Sequence, residues 1–173
     1  MKLTTKQLTL CAVLTAMALA LSYLENFFPL SLAIPVPGIK LGLANIVTVF
    51  AVFMLGARDA ALILAARIFL GAVFGGNFST VFYSAGGGAA AILITIGLRC
   101  VLTRKQIWVA GAMGAIAHSV GQMCVAVALT DTPSLLLYLP VMIVISIFTG
   151  TFTGLCGQFL VNRGDKLWKT IFR

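Results

Sequence analysis

The chain has 173 residues, of which 61% are apolar and only 9% charged, where an ordinary soluble domain carries about 25% charged residues. Mean hydropathy is +1.10; a domain this small cannot hide so much apolar surface from water, and a disordered chain has the reverse composition, so both classes are excluded. The 12 Lys+Arg against 4 Asp+Glu, a net charge of +8, do not point to nucleic acid, because the basic residues stand between apolar runs and form no patch on a soluble fold. An integral membrane protein remains, and at about 20 residues per span the length accommodates six.

The charges mark the spans in order. After Lys2 and Lys6 no charge appears until Glu25, and Leu8–Leu24 is apolar or small throughout. Leu41–Ala57 follows Lys40 and stops at Arg58-Asp59. Ala60–Phe74 is the third run, interrupted by Arg67, and Ser84–Leu98, extending back toward Thr80, ends at Arg99. Ile107–Leu129 follows Arg104-Lys105 and stops at Asp131-Thr132-Pro133. Leu135–Val161, with Pro140 near its start, precedes the polar tail Asn162–Arg173. The expectation is one all-α transmembrane domain over residues 1–173, a bundle of six helices spanning about 8–24, 41–57, 60–74, 82–98, 107–129 and 135–161. The shorter runs borrow from their flanks or sit in a locally thin bilayer.

Six spans put both termini on one side. Lys2, Lys6, Arg58, Arg99, Arg104, Lys105, Arg163, Lys166, Lys169 and Arg173 fall on that side, Lys40 alone on the other, and Arg67 within a span. The positive-inside rule therefore predicts cytoplasmic N- and C-termini. Lys2, Lys6 and the small-residue set Ala16-Met17-Ala18 also resemble a cleaved signal peptide. Cleavage would leave five spans and an outer N-terminus, against the charge pattern.

On the outer side, Glu25 to Lys40 contains Pro29, Pro35, Pro37 and Gly38 among apolar residues. Proline blocks a regular helix, which predicts an ordered loop partly immersed in the membrane. A second outer connection, Gly75–Thr80, is glycine-rich and polar, and the two together are placed to cap a cavity that opens outward.

Arg67 stands eight or nine positions past Arg58-Asp59, roughly 12–14 Å deep at 1.5 Å per residue. A cation there is costly unless it snorkels to headgroups or faces a polar partner. No acid is expected at its depth, which leaves helix carbonyls, amides or a ligand as partners. His118 and Gln122 share one face of the fifth span, and His118 reads either as a hydrogen-bonded packing residue or as a ligand-binding one. One histidine and the scattered Cys11, Cys100, Cys124 and Cys156 do not make a metal site, and the cysteines read as small buried hydrophobes.

Small residues recur at helical spacing. Ala12, Ala16 and Ala20 line one face of the first span, Gly71/Gly75 and Gly150/Gly154 are small-xxx-small pairs, and Gly86-Gly87-Gly88 opens the fourth. Such residues allow close helix packing within the chain; for the alanine stripe the alternative is a docking face for another membrane protein. The chain has no P-loop, no aspartate-rich cluster for magnesium and diphosphate, and no serine–histidine–acid set. It reads as a binding or transport protein rather than an enzyme, with no cofactor and no nucleic-acid partner.

The run Pro37-Gly38-Ile39-Lys40-Leu41-Gly42-Leu43-Ala44-Asn45-Ile46-Val47 resembles the signature of the Gx transporter family, also called heptaprenyl diphosphate synthase component I. The resemblance continues through Leu55-Gly56, Arg67–Gly71, Tyr83–Gly87 and Gly114–Gln122. That family is similar to the substrate-binding S components of energy-coupling-factor (ECF) transporters. The resemblance implies six helices in a prokaryotic plasma membrane, cytoplasmic termini, an outward pocket capped by loops, and an alanine-rich first helix that docks on a coupling subunit driven by partner ATPases. The expected ligand contacts are Lys40, Asn45, Arg67, Asn77, Tyr83, His118 and Gln122, and the expected docking residues Ala12, Ala16 and Ala20. The ligand class is small and anionic or amphipathic, with isoprenoid, quinone or flavin relatives implied by resemblance alone. The alternative is a non-catalytic membrane subunit of a prenyl, quinone or flavin-based electron-transfer assembly.

Overall fold

The computed structural model describes residues 5–25, 42–75 and 79–171, with side chains for all but 79–80 and 165–171. Lys40, Asn77, the proline-rich outer segment, Lys2 and Arg173 lie outside the described residues. The described chain is all-helical: α1 (Thr5–Leu24), α2 (Asn45–Met54), α3 (Ala57–Gly75), α4 (Ser79–Arg99), α5 (Ile107–Thr130) and α6 (Leu139–Ile171). Short 3-10 turns, Arg104–Gln106 and Pro133–Tyr138, lead into α5 and α6.

Local chemistry sets the breaks. The α2–α3 turn is made by Gly56, whose φ of +109° is open only to a residue without Cβ; Leu55 and Gly56 both donate their amides to the Ala51 carbonyl, and Gly56 accepts from Ala60. Gly42, at φ +82°, stands just before the other end of α2. Before α5, the Thr103 amide and hydroxyl both donate to Gln106 Oε1, at 3.2 and 2.9 Å, a capping arrangement for amides that lack helical partners. Asp131 closes α5 in the left-handed region, and Pro133 occupies the first position of the next turn, where its missing N–H costs nothing.

Among the described residues four segments are long and apolar enough to cross a membrane: Thr5–Leu24, Val81–Arg99, Arg104–Thr130 and Pro133–Gly164. The expected second and third spans differ for two separate reasons. The second shrinks from 41–57 to the 10 residues of α2, about 15 Å against a hydrocarbon core of about 30 Å. The third has the length, 19 residues, but carries Arg58, Asp59 and Arg67. Its outward face is nevertheless apolar, exposing Leu62, Phe69, Val73 and Phe74. On α6, Val141, Val144, Phe148, Phe152, Leu155 and Phe159 form an exposed apolar stripe. That surface suits hydrocarbon and not water.

The helices form an arc, α1–α3–α4–α5–α6, in which each touches the next, and α2 touches all five. Among the described residues α1 and α6 do not meet. Val47, Val49, Ala51 and Val52 of α2 are all nearly inaccessible; Val47, Ala51 and Val52 pack with Leu14 and Ala18 of α1, Ile63 and Leu64 of α3 and Ile92 of α4, and Val49 packs with Ile107 of α5 and Val161 of α6.

Glycine determines how closely the second half of the arc packs. A Cβ on Gly154 would stand 2.5 Å from the Trp108 carbonyl oxygen, and one on Gly150 would stand 2.8 Å from Ala112 Cα. A Cβ on Gly121 would stand 2.5 Å from the Gly86 carbonyl oxygen. The α4–α5 and α5–α6 contacts are thus backbone to backbone, as expected where packing and not water exclusion drives association. The pair Gly150/Gly154 serves this packing, whereas Gly71 meets only Leu19 and Gly75 meets nothing within 4 Å. All four cysteines are free thiols.

Gly154→Val has no room to move into and should destabilise the purified protein by about 1–3 kcal/mol, seen as a lower thermal midpoint. Gly97→Ala, where a Cβ meets nothing within 4 Å, should leave that midpoint unchanged or raise it, since alanine is the better helix former.

Candidate functional site

The polar side chains gather where α1 ends and α2 begins. Glu25, one residue past α1, is buried, and its Oε1 accepts the Ala44 backbone N–H at 3.2 Å. Ala44 is the residue that caps α2, so this carboxylate satisfies an amide that no helical carbonyl can reach. The same carboxylate is the charge that acts on Arg67, whose side chain is only 7% exposed. One acid therefore links the ends of α1 and α2 to the middle of α3. Buried charges are tolerated only when attraction and hydrogen bonds offset the loss of hydration; Glu25 accepts the Ala44 amide and acts on Arg67.

No acid was expected at the depth of Arg67. In the sequence Glu25 is the terminator of an apolar run; the fold brings it near enough to act electrostatically on Arg67, which is buried in the bundle.

On α5, the His118 ring lies between two glycines. A Cβ on Gly42 would stand 3.6 Å from His118 Cδ2, and one on Gly87 of α4 would stand 2.9 Å from both Cε1 and Nδ1. The ring occupies space that any side chain at position 87 would claim. Gln122, one turn along α5, donates from Nε2 to His118 Nε2. An amide nitrogen can only donate, so that ring nitrogen accepts, and the Nδ1 edge of the ring faces Gly87. Asn45, at the first position of α2, sits beside the same ring: its Nδ2 would be 3.0 Å from a Cβ on Gly42. Asn45 is 2% exposed, and neither its Oδ1 nor its Nδ2 has a hydrogen-bond partner.

Of the expected contacts, the structure brings Asn45, His118 and Gln122 together and joins Arg67 to the same end of α2 through Glu25. Tyr83 is buried one turn before Gly87, in an apolar cluster with Met123, Ala126, Leu135 and Met142. Ala12, Ala16 and Ala20 are exposed on the outside of α1, away from the buried face of Leu14, Thr15 and Ala18. Residue-by-residue reading missed Glu25, and missed Gly42 and Gly87 as the neighbours of His118. It also missed the buried pair Ser119–Ser146, 2.6 Å apart; Ser146 gives its proton to the Met142 carbonyl at 2.7 Å, so Ser119 donates to Ser146. For Glu25 a usable signal existed, since an unpaired intramembrane arginine demands an acid and Glu25 is the one that borders the outer side of the first span.

No three metal-ligating side chains converge among the described residues. The groups assembled here donate and accept hydrogen bonds, which is the chemistry of binding. The family model for heptaprenyl diphosphate synthase component I matches residues 14–160, and the chain belongs to that family. No curated protein and no solved structure matches it.

Glu25→Gln and Arg67→Met should each destabilise the protein by about 3–5 kcal/mol, because each strands the partner charge. The double variant should lose clearly less than the sum. A double-mutant cycle on thermal or chaotrope unfolding measures this, and simple additivity would show that the two charges do not interact.

Proposed function

We propose that this member of the heptaprenyl diphosphate synthase component I family is a membrane-embedded, non-catalytic component that binds a small molecule at the end of α2 and acts through partner proteins. The observation that carries the reading is the buried set Asn45, His118 and Gln122 beside Glu25–Arg67. An apolar bundle gains nothing by burying an unpartnered amide there, and a ligand supplies the missing bonds. Its charge favours one branch of the expected ligand class. Glu25 acts on Arg67 and offsets its pull on an anion, which favours an amphipathic ligand.

In this reading the chain has cytoplasmic termini, the polar set lies in the outer half of the bilayer, and the ligand enters from the outer side. Transport in the manner of an ECF importer then needs ATPases and a coupling subunit, and the outward alanines of α1 are the proposed contact. A second reading is favoured by the family's description: a non-catalytic subunit of a prenyl-diphosphate assembly, in which the exposed phenylalanines of α6 meet lipid or a partner.

Mass spectrometry of what copurifies with the chain from native membranes separates these. A bound small molecule should be retained by the wild type and by Gly97→Ala but lost from Gly87→Ala, whose Cβ would stand 2.7 Å from Gln122 Cγ. Transporter ATPases should copurify and be lost when Ala16 becomes leucine. A prenyl synthase subunit in their place, with Ala16→Leu tolerated, selects the second reading, and the absence of any site-dependent small molecule sinks the binding reading altogether.

A further inference from the structure

The amide of Asn45 presents one acceptor and one donor side by side, both buried and both without a protein partner. Leaving these groups unmade costs about 1–3 kcal/mol each, more than a bare packing position repays. Around the amide, Glu25 acts on Arg67 and His118 hydrogen-bonds with Gln122. A carboxylate or phosphate offers only acceptors and would leave the Asn45 oxygen unpaired, whereas a lactam, imide or primary amide offers a donor and an acceptor at the same spacing. We propose that Asn45 is the specificity-determining residue of this site and reads an uncharged ligand through an adjacent N–H/C=O edge, in a two-bond pairing. This rests on the binding reading above and narrows it from amphipathic ligands in general to neutral ones that carry such an edge.

The test uses the full chain in lipid nanodiscs and three ring probes followed by saturation-transfer NMR. Uracil has the N–H/C=O edge, 1,3-dimethyluracil has the same ring with its donors blocked, and benzoate has the charge without the donor. Uracil should bind saturably, with 1,3-dimethyluracil and benzoate at least tenfold weaker. Asn45→Leu, which keeps the branched heavy-atom skeleton of asparagine with methyl groups in place of the two polar atoms, should abolish uracil binding and at the same time raise the thermal midpoint of the ligand-free protein, because it removes an unpaired buried amide. That rise also shows that the variant is folded. Equal binding of uracil and its dimethyl derivative assigns the amide to a trapped water and overturns the inference. Tighter binding of benzoate, a lowered or unchanged midpoint in Asn45→Leu, or no saturable signal from any probe overturns it too. The wider binding reading is decided separately by the copurification experiment.

Discussion

The burial of a 10-residue helix at the centre of the bundle is the constraint from which the rest follows. A helix of about 15 Å cannot fill the axis of a bundle built from helices roughly twice its length. Its backbone ends therefore stop inside protein, where free N–H and C=O groups are expensive. At its C-terminal end Gly56 turns the chain and the Ala51 carbonyl receives two amides. At its N-terminal end the Glu25 carboxylate is brought in to receive the Ala44 amide. Placing a carboxylate at that depth then calls for a cation, and Arg67 is that cation.

On that account the arginine inside α3 is first a consequence of the architecture. A charge pair of this kind adds little net stability compared with apolar residues of the same volume, but it makes alternative packings costly. It fixes which face of α3 turns inward, and so leaves Phe69 and Phe74 outside. The polar ligand-competent groups are then confined to one end of α2, while Val49, Ala51 and Val52 seal the other part.

Much of this was legible along the chain, because apolar runs bounded by charges are local features. The extents of α1, α4 and α5 track those runs closely. The second span was misjudged in length because hydropathy does not register a glycine in the left-handed region at either end; Gly42 and Gly56 shorten the helix without making the run less apolar. Asn45, Arg67, His118 and Gln122 stood out because polar groups are rare in such a chain. Their grouping did not, since Glu25 and Arg67 stand 42 positions apart in the numbering and act on each other because α1 and α3 pack side by side. That Asn45 would be left without a partner was equally beyond reach, because it depends on what the neighbouring helices do not present.

The backbone contacts among α4, α5 and α6 also bear on how the bundle can deform. Where Gly154 lies against Trp108 and Gly86 against Gly121, backbone meets backbone, and little side chain stands between the helices to change rotamer and absorb a displacement. Those three helices behave mechanically as one slab. On the other side, among the described residues, α1 touches α2 and α3 alone and meets them through ordinary side chains such as Leu14 and Leu19. Side chains can change rotamer where abutting backbones cannot, so the α1–α3 flank has the more room to adjust, and the Glu25 carboxylate ties that flank to the tip of α2.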